Sequence, residues 1–169
     1  MNQIAKFETV SFAQFQLDAE GCKVPLSNDK LRLAHQHLVL PVRATAGSAG
    51  YDFFTPFDFS LAPRETITIP TGIRVKIEPG WFLALLPRSG HGFRYRIQLD
   101  NTLGVIDADY YNADNQGHIL VKLTNDGLAG KRLELPAGAG FIQGIFMPHG
   151  ITVDDEAKGT RTGGFGSTG

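Results

Sequence analysis

The sequence has a single cysteine, no long hydrophobic run and almost no net charge. Cys22 has no partner in the chain for a disulfide, which fits a reducing compartment. No apolar run approaches the roughly 20 residues of a membrane-spanning helix, and the N-terminus has no signal-peptide pattern. A formal net charge of -1 provides no basic field for nucleic acid. We therefore expect a cytoplasmic protein that binds neither membranes nor nucleic acid.

Glycine and proline, in contrast, are plentiful, with 20 and 9 residues in a chain of 169. Between these turn-forming residues lie short segments in which apolar and polar residues alternate, such as 65–69 and 73–77. Turn signals about ten residues apart are typical of an all-β sandwich or barrel. The chain length predicts one domain that buries its own core.

The first 37 residues follow a different pattern. Ser11 followed by Gln14 resembles a capping box, so we predict one short helix near residues 11–19. Residues 20–37 are polar, and we expect an irregular loop there. The region 1–37 is therefore interpreted as an N-terminal extension of strand, short helix and loop that precedes the β domain.

Two carboxylates follow an apolar pair in the segment Gly104-Val105-Ile106-Asp107-Ala108-Asp109-Tyr110. If residues 105–109 are extended, Asp107 and Asp109 lie on one face of the strand with Val105. A carboxylate fixed on a rigid strand is suited to act as a general base. The alternative is a surface turn with two solvated acids, and other motifs are needed to decide between the two.

Three further polar groups stand at strand ends or within an apolar strand. Asp52 follows a small-residue loop, and Pro87-Arg88-Ser89-Gly90 ends an apolar strand with groups that can cradle a phosphate. Gln143 lies within an apolar strand and must find hydrogen-bond partners in the protein or in a ligand. The ordinary alternatives are a local turn acceptor for Asp52 and a strand-ending turn for residues 87–90.

The last nine residues, 161–169, contain four glycines and cannot form a packed element by themselves. Their composition favours a flexible arm that folds over a ligand. Phe165 would stack on a planar ring, and Arg161 with the backbone of residues 167–169 would meet phosphates. The alternative is a glycine-rich terminus without a function.

Taken in order, these segments resemble the five motifs of the trimeric deoxyuridine triphosphatases (dUTPases). The matching segments are Ala49-Gly50-Tyr51-Asp52, Pro87-Arg88-Ser89-Gly90, 101–110, 138–146 and 161–169. The third and fifth motifs are specific, whereas the other three add weight chiefly through their order. The resemblance covers residues 38–169.

The resemblance implies an all-β fold, a distorted jelly roll or β-clip barrel of many short strands, with one short N-terminal helix and a flexible C-terminal arm. The β domain would span residues 38–154 and the Gly-rich arm residues 155–169. It further implies a homotrimer with shared active sites that draw motifs from three subunits. The implied reaction is hydrolysis of dUTP to dUMP and pyrophosphate with Mg2+, by water attack on the α-phosphorus.

The resemblance also assigns roles to individual residues. Asp107 matches the general base, and Tyr110 matches the residue packed against deoxyribose. Asp52 matches an acid that acts near the metal indirectly, through water. Asn101 and the backbone of a 98–105 hairpin match the segment that reads uracil. The matched substrate-binding positions are Arg88, Ser89, Gly90, Asn101, Gly104, Val105, Ile106, Tyr110, Gln143, Arg161, Phe165, Gly166, Ser167 and Thr168.

Several features depart from the family pattern. Gly140 stands where the fourth motif commonly has an arginine, so any ion pair of that arginine must be absent or supplied from elsewhere. After Tyr110 the usual Arg-Gly is replaced by Tyr111-Asn112, and a polar stretch through Gly117 looks like a longer loop. The first 37 residues have no counterpart in the family motifs.

Two alternatives to a simple dUTPase stay open from the sequence. A dCTP deaminase-like enzyme on the same fold would lack the run from Asp107 to Tyr110. A phage-type relative would act in addition as a regulatory module that binds a partner protein. In that case residues 111–117 and 1–37 are where the partner contact is expected.

Overall fold

The computed structural model of the chain describes residues 2–127, 130–159 and 163. Within these residues short strands predominate over helices, which confirms the expected all-β class. The strands are β1 (Ala5–Thr9), β2 (Val42–Arg43), β3 (Tyr51–Phe54), β4 (Phe59–Leu61), β5 (Thr66–Pro70), β6 (Ile73–Ile77), β7 (Trp81–Pro87), β8 (Ile97–Leu99), β9 (Gly104–Ile106), β10 (Leu120–Asn125), β11 (Leu133–Leu135) and β12 (Gly140–Pro148). The helices are α1 (Phe12–Gly21), α2 (Asn28–Gln36) and α3 (Ser89–Tyr95), and a 3-10 helix spans Ala108–Asn112.

The described strands form four antiparallel sheets. The largest sheet has the order β2-β3-β12-β7-β9, and a three-stranded sheet has the order β5-β10-β8. Two further pairs are β1-β6 and β4-β11. The inward side chains of these sheets share one hydrophobic core in a distorted jelly roll, and the described strands do not close into a barrel.

Alternating sequence explains most strands directly. In β6, Ile73, Val75 and Ile77 are buried, while the charged residues between them face outward or are partly covered. Strand β7 differs, because its middle residues 83–85 are buried in succession. It lies between β12 and β9 in the large sheet, so both of its faces are covered. The continuous apolar run in the sequence is therefore the mark of a central strand.

The short helix expected near residues 11–19 is confirmed as α1, and Ser11 Oγ accepts the Gln14 amide at its start. The prediction that residues 20–37 are irregular is wrong, because this stretch contains α2. Ser27 caps α2, and Leu31 is its one buried residue. The apolar positions of α2 are too sparse for periodicity to reveal a helix, and packing of Leu31 under α1 stabilises it.

The N-terminal segment packs directly on the β domain. Strand β1 extends the fold by pairing with β6 along its whole length. Phe7 projects from β1 onto the rings of Tyr51, Phe53 and Phe146, with ring centroids 5.4–5.7 Å apart. No helix in the described ranges is both long and apolar enough to cross a membrane.

Candidate active site

Asp107 lies at the end of β9, where the extended chain turns into the 3-10 helix. Side chains alternate up to this point, since Ile106 is buried whereas Val105 and Asp107 are exposed. Pairing of β9 with the central strand β7 fixes the backbone that leads to Asp107. The expected general base is thus an outward-facing carboxylate on a well-supported backbone.

The extended backbone considered for residues 105–109 continues only as far as Asp107. The Tyr110 amide donates to the Asp107 carbonyl oxygen over 3.2 Å, and this bond opens the 3-10 helix. The turn carries the Tyr110 ring into the core, where the residue is 2% exposed. Burial of that ring outweighs continued extension, so Asp109 does not share a strand face with Asp107.

Tyr110 also ties the turn to the segment that follows it. Its hydroxyl donates to the His118 carbonyl oxygen over 2.8 Å and accepts a hydrogen bond from Asn115 Nδ2 over 2.9 Å. The first bond is buried and the second partly buried, and shielding from solvent strengthens them. Tyr110 therefore anchors the backbone after Asp107, and its contact with deoxyribose stays a prediction.

Residues 98–105 do not form the hairpin that the resemblance implied. Strand β8 pairs with β10, whereas β9 pairs with β7, so the residues between β8 and β9 connect two different sheets. Thr102 has a φ of 65°, in the left-handed region, which interrupts the extended backbone at this point. Asn101 precedes it with an exposed side chain, and its role at uracil stays a prediction.

Arg88 and Asp52 form an ion pair that sequence reasoning missed. Arg88 Nε lies 3.1 Å from Asp52 Oδ1, and Arg88 Nη2 donates to Asp52 Oδ2 over 3.4 Å. Arg88 Nη1 donates in addition to the Gly140 carbonyl oxygen over 3.1 Å. A side chain at residue 140 would have its Cβ only 2.7 Å from Arg88 Nη1. The absence of a side chain at Gly140 thus gives the Arg88 guanidinium its place, and Arg88 supplies the cation for Asp52.

Gln143 stands between the first two motifs. On β12 it lies opposite Asp52 of β3 on one side and Leu86 of β7 on the other. Its Nε2 donates to the Pro87 carbonyl oxygen over 3.4 Å. Gly50 approaches so closely that a Cβ there would be 2.6 Å from Gln143 Oε1. The sheet therefore brings Asp52, Arg88 and Gln143 together, and their contacts with metal and phosphate stay predictions.

Ser89 and Gly90 begin α3, so the segment expected to cradle a phosphate is the start of a helix and not the strand-ending turn that was its alternative. The amides of His91 and Gly92 both donate to the Arg88 carbonyl oxygen over 3.0 Å. His91 is partly buried, and this burial lowers the pKa of its imidazole below the ordinary value. Cys22, at the end of α1, is not a reactive nucleophile, because burial raises the pKa of its thiol to about 11.

The two groups of candidate residues lie at opposite ends of β7. Ile106 is opposite Leu83, which places Asp107 beside Phe82, whereas Arg88 follows the far end of the strand. Six residues of strand separate positions 82 and 88, a distance of about 20 Å. The Arg88 guanidinium also points across β12 to β3, away from β9. Within one chain, Asp107 and Arg88 therefore do not meet.

The remaining candidate residues belong to the C-terminal arm. Arg161, Phe165, Gly166, Ser167 and Thr168 all lie outside the described residues. Their predicted contacts with uracil and phosphate stay predictions.

We expect Gly140→Ala to move Arg88 without disturbing the fold. The new Cβ would collide with the mobile end of Arg88 rather than with backbone, so the guanidinium must leave its place over residue 140. Since a charge-assisted hydrogen bond is worth about 1.5–3 kcal/mol, kcat/KM for a substrate whose phosphate Arg88 binds should fall by about tenfold or more. Gly150→Ala is the matched control, because nothing lies within 4 Å of a Cβ there. Unchanged kcat/KM in Gly140→Ala would mean that the position of Arg88 is irrelevant.

Comparison with known proteins matches most of the chain to one family. A model of the dUTPase family matches residues 36–169. The deoxyuridine 5'-triphosphate nucleotidohydrolase of Lactococcus lactis is 40% identical over 133 residues, which cover 77% of this chain and 87% of that protein. The crystal structure of the dUTPase from Streptococcus mutans is 28% identical, with a TM-score of 0.62 over 86% of this chain and 97% of that chain.

A more distant structure, the dUTPase of phage phi11 of S. aureus, shares the fold at 18% identity, with a TM-score of 0.64 over 93% of this chain and 97% of that chain. The family match contains every candidate site residue, whereas residues 1–35 lie outside it. The extent of this match and the 40% identity to a relative along most of both chains establish the family. The chain belongs to the dUTPase family.

Proposed function

We propose that this protein hydrolyses dUTP to dUMP and pyrophosphate, with Asp107 as the general base. The observation that carries the proposal is the position of Asp107, an exposed carboxylate held between a paired strand and a 3-10 helix that Tyr110 anchors. The relatives that match this region are named deoxyuridine 5'-triphosphate nucleotidohydrolases, which supports the substrate.

The proposed reaction needs one placed base. Asp107 accepts a proton from a water molecule, and the water oxygen attacks the α-phosphorus of dUTP. The bond from the α-phosphorus to its bridging oxygen breaks, and pyrophosphate leaves. A positioned general base contributes about 10²–10⁴ in rate. Fixing Asp107 on sheet-supported backbone keeps the carboxylate aligned with the water during this transfer.

Arg88, Ser89 and Gln143 are proposed to bind the phosphates. The guanidinium of Arg88 already has a defined orientation, because Asp52 holds two of its nitrogens and the Gly140 carbonyl oxygen holds the third. A pre-oriented guanidinium binds phosphate at lower entropic cost than a free one. Negative charge builds up on the pyrophosphate leaving group as its bond to the α-phosphorus breaks, and a fixed cation stabilises that charge.

Mg2+ is proposed to reach the site on the triphosphate of the substrate. No group of three or more His, Cys, Asp or Glu side chains in the described ranges is arranged to hold a metal. Mg2+ commonly keeps several waters and takes one or two carboxylates together with substrate phosphates. A single carboxylate such as Asp52, already paired with Arg88, fits contact through water. When bound, Mg2+ supplies neutralisation of phosphate charge.

Uracil is proposed to lie against residues 101–106, with Tyr110 near the sugar. Backbone N–H and C=O groups in this segment would pair with the uracil edge, and cytosine would leave them unpaired. Unpaired buried polar groups are costly, so this pairing can discriminate strongly between the bases. Gly104 itself is required by strand packing, since a Cβ there would be 2.9 Å from Cβ of the buried Leu85 in β7.

We further propose a homotrimer whose sites are shared between subunits. The separation of Asp107 and Arg88 along β7 is the support for it, because one chain does not assemble a complete site. Cyclic assembly would place Asp107 of one subunit beside Arg88 of the next. The trimer would have a mass of about 55 kDa, three times 18.4 kDa.

A regulatory partner protein stays a prediction from the sequence.

Pyrophosphate release from dUTP, dCTP, dTTP and UTP tests the proposal. We expect rapid release from dUTP with Mg2+ and at least about a hundredfold lower kcat/KM for the other three nucleotides. Ammonia release from dCTP would instead identify the deaminase alternative. Absence of turnover with dUTP would contradict the proposed function.

A further inference from the structure

The N-terminal segment 2–35, which lies outside the family match, contacts the loop that follows the candidate base. This loop, residues 111–118, begins within the 3-10 helix and ends beside β10; we call it the 111–118 loop. Its sequence departs from the family pattern at Tyr111-Asn112. Two parts of the chain that set it apart from the family thus touch each other, at three separate places.

The first contact joins β1 to Tyr111. The Tyr111 hydroxyl donates to Glu8 Oε2 over 2.7 Å, while Lys6 binds the other oxygen, Oε1, over 2.8 Å. The guanidinium of Arg74 lies 3.7 Å from the centre of the Tyr111 ring and donates to the Tyr111 carbonyl oxygen over 2.8 Å. Tyr111 is therefore held at its hydroxyl, its ring face and its backbone.

The charge states of Glu8 and Tyr111 favour the hydrogen bond between them. Hydrogen bonds from Lys6 and Tyr111 hold the pKa of the Glu8 carboxyl below its ordinary value. The same bond to Glu8 raises the pKa of the Tyr111 hydroxyl. At neutral pH the carboxylate is thus ionised and the phenol protonated, which is the pairing that the geometry requires.

The second contact joins the start of α1 to Gln116. Gln116 Oε1 accepts the Ser11 amide over 3.0 Å, and Gln116 Nε2 donates to Ser11 Oγ over 3.0 Å. In the capping box expected from the sequence, Gln14 would have bonded the Ser11 amide, but Gln14 bonds Asp18 instead. A residue of the 111–118 loop therefore completes the cap of α1.

The third contact is buried. His118, with no exposed surface in its side chain, has its Nδ1 2.5 Å from Asp18 Oδ2 of α1. Its Nε2 accepts the Gly72 amide over 2.8 Å, so the proton lies on Nδ1 and points to Asp18. Both ring nitrogens are thereby satisfied, and the end of the 111–118 loop is fixed between α1 and the turn before β6.

The 111–118 loop also contacts the 3-10 helix that follows Asp107, through the Tyr110 side chain. Asn115 and the His118 carbonyl oxygen hold the Tyr110 hydroxyl, three residues from Asp107. Gly117 packs against the same turn with a φ of 70°, where a Cβ would be 2.8 Å from the Tyr110 carbonyl oxygen. The 3-10 helix that begins after Asp107 is therefore held from the N-terminal segment through the loop.

We propose that the N-terminal segment is a clamp on the 111–118 loop, and that Glu8, Tyr111 and Gln116 are positioning residues for Asp107. The proposal rests on the proposed function of Asp107 as the general base. A base that is displaced by about 1 Å can lose about a hundredfold in rate, so small movements of the 3-10 helix matter. Such movements would lower kcat more than they would change KM, because Asp107 acts in the chemical step.

Tyr111→Phe tests the clamp, with Lys6→Gln as its matched control. The first variant removes the hydroxyl at Glu8 Oε2 and keeps the ring over Arg74, whereas the control removes the bond at Oε1. We expect Tyr111→Phe to lower kcat for dUTP by about tenfold with KM within about twofold of wild type. Lys6→Gln should leave both values near those of wild type. Gln116→Ala acts through a different contact and should change kcat in the same direction as Tyr111→Phe.

Hydrogen–deuterium exchange of the same full-length variants separates this proposal from the proposed function. We expect faster amide exchange across residues 108–118 in Tyr111→Phe and Gln116→Ala, with unchanged exchange in β7. Faster exchange with unchanged kcat would overturn the positioning role, and unchanged exchange would overturn the clamp itself. If wild type does not hydrolyse dUTP, the proposed function fails, while the exchange data still decide whether the clamp exists.

Discussion

Asp107→Asn is expected to abolish turnover of dUTP while leaving nucleotide binding intact. The amide nearly matches the carboxylate in size and shape, so the 3-10 helix and its Tyr110 anchor should persist. An amide nitrogen or oxygen cannot take the proton of the attacking water at neutral pH. Removal of a general base costs about 10²–10⁴ in rate, and the loss should fall on kcat.

The matched control for this change is Asp109→Asn, in the same segment. Asp109 lies in the 3-10 helix and no longer shares a strand face with Asp107, so we expect its variant to keep kcat within about threefold of wild type. The measurements are dUMP formation and, separately, binding of a non-hydrolysable dUTP analogue. Residual activity of Asp107→Asn within about tenfold of wild type would remove Asp107 from its proposed role.

The strands could be predicted from the sequence because their signal is local. Residues 73–77 alternate between apolar and charged side chains, and β6 spans the same residues. The run from Trp81 is continuously apolar, and β7 proves to be a central strand covered on both faces. In both cases a few neighbouring residues determine the outcome, so no knowledge of distant contacts was needed.

Elements that depend on tertiary packing escaped prediction. Helix α2 has few apolar residues, and its stability comes from Leu31 packing beside Phe15 and Ala19 of α1. The turn after Asp107 has a similar origin, because burial of Tyr110 draws the chain out of the strand. Neither effect leaves a periodic mark in the sequence near the element concerned.

The sequence supplies candidate site residues but not their arrangement. Arg88 and Asp52 are 36 positions apart, and only the order β3-β12-β7 shows that their charges meet. Gly140 stands where the family motif commonly has an arginine, so the sequence suggested that an ion pair was missing. The structure shows instead that the absence of a side chain at Gly140 makes room for Arg88. The register of β7 with β9 then separates this ion pair from Asp107, which no motif spacing could show.

Mixed trimers of two inactive variants should recover activity if sites are shared between subunits. Arg88→Ala removes the proposed phosphate ligand, and Asp107→Asn removes the proposed base, so each variant alone should be inactive. In a ring of three subunits, any mixture of the two variants has one junction where an intact Asp107 meets an intact Arg88. Each mixed trimer should therefore have about one third of the wild-type kcat, with a near wild-type KM.

The experiment uses co-expression of the two variants with different affinity tags and purification on both, which yields only mixed assemblies. A mixture of the Arg88→Ala and Asp52→Ala variants is the control. Those two residues are 3.1 Å apart in one chain, so each chain of the mixture carries a substitution in the same part of a site. That pair should show no more activity than its parents. Light scattering should report a mass of about 55 kDa for every mixture. Mixed trimers of Arg88→Ala and Asp107→Asn that stay inactive would contradict the shared site, because the distance of about 20 Å along β7 would then have to be bridged within one chain.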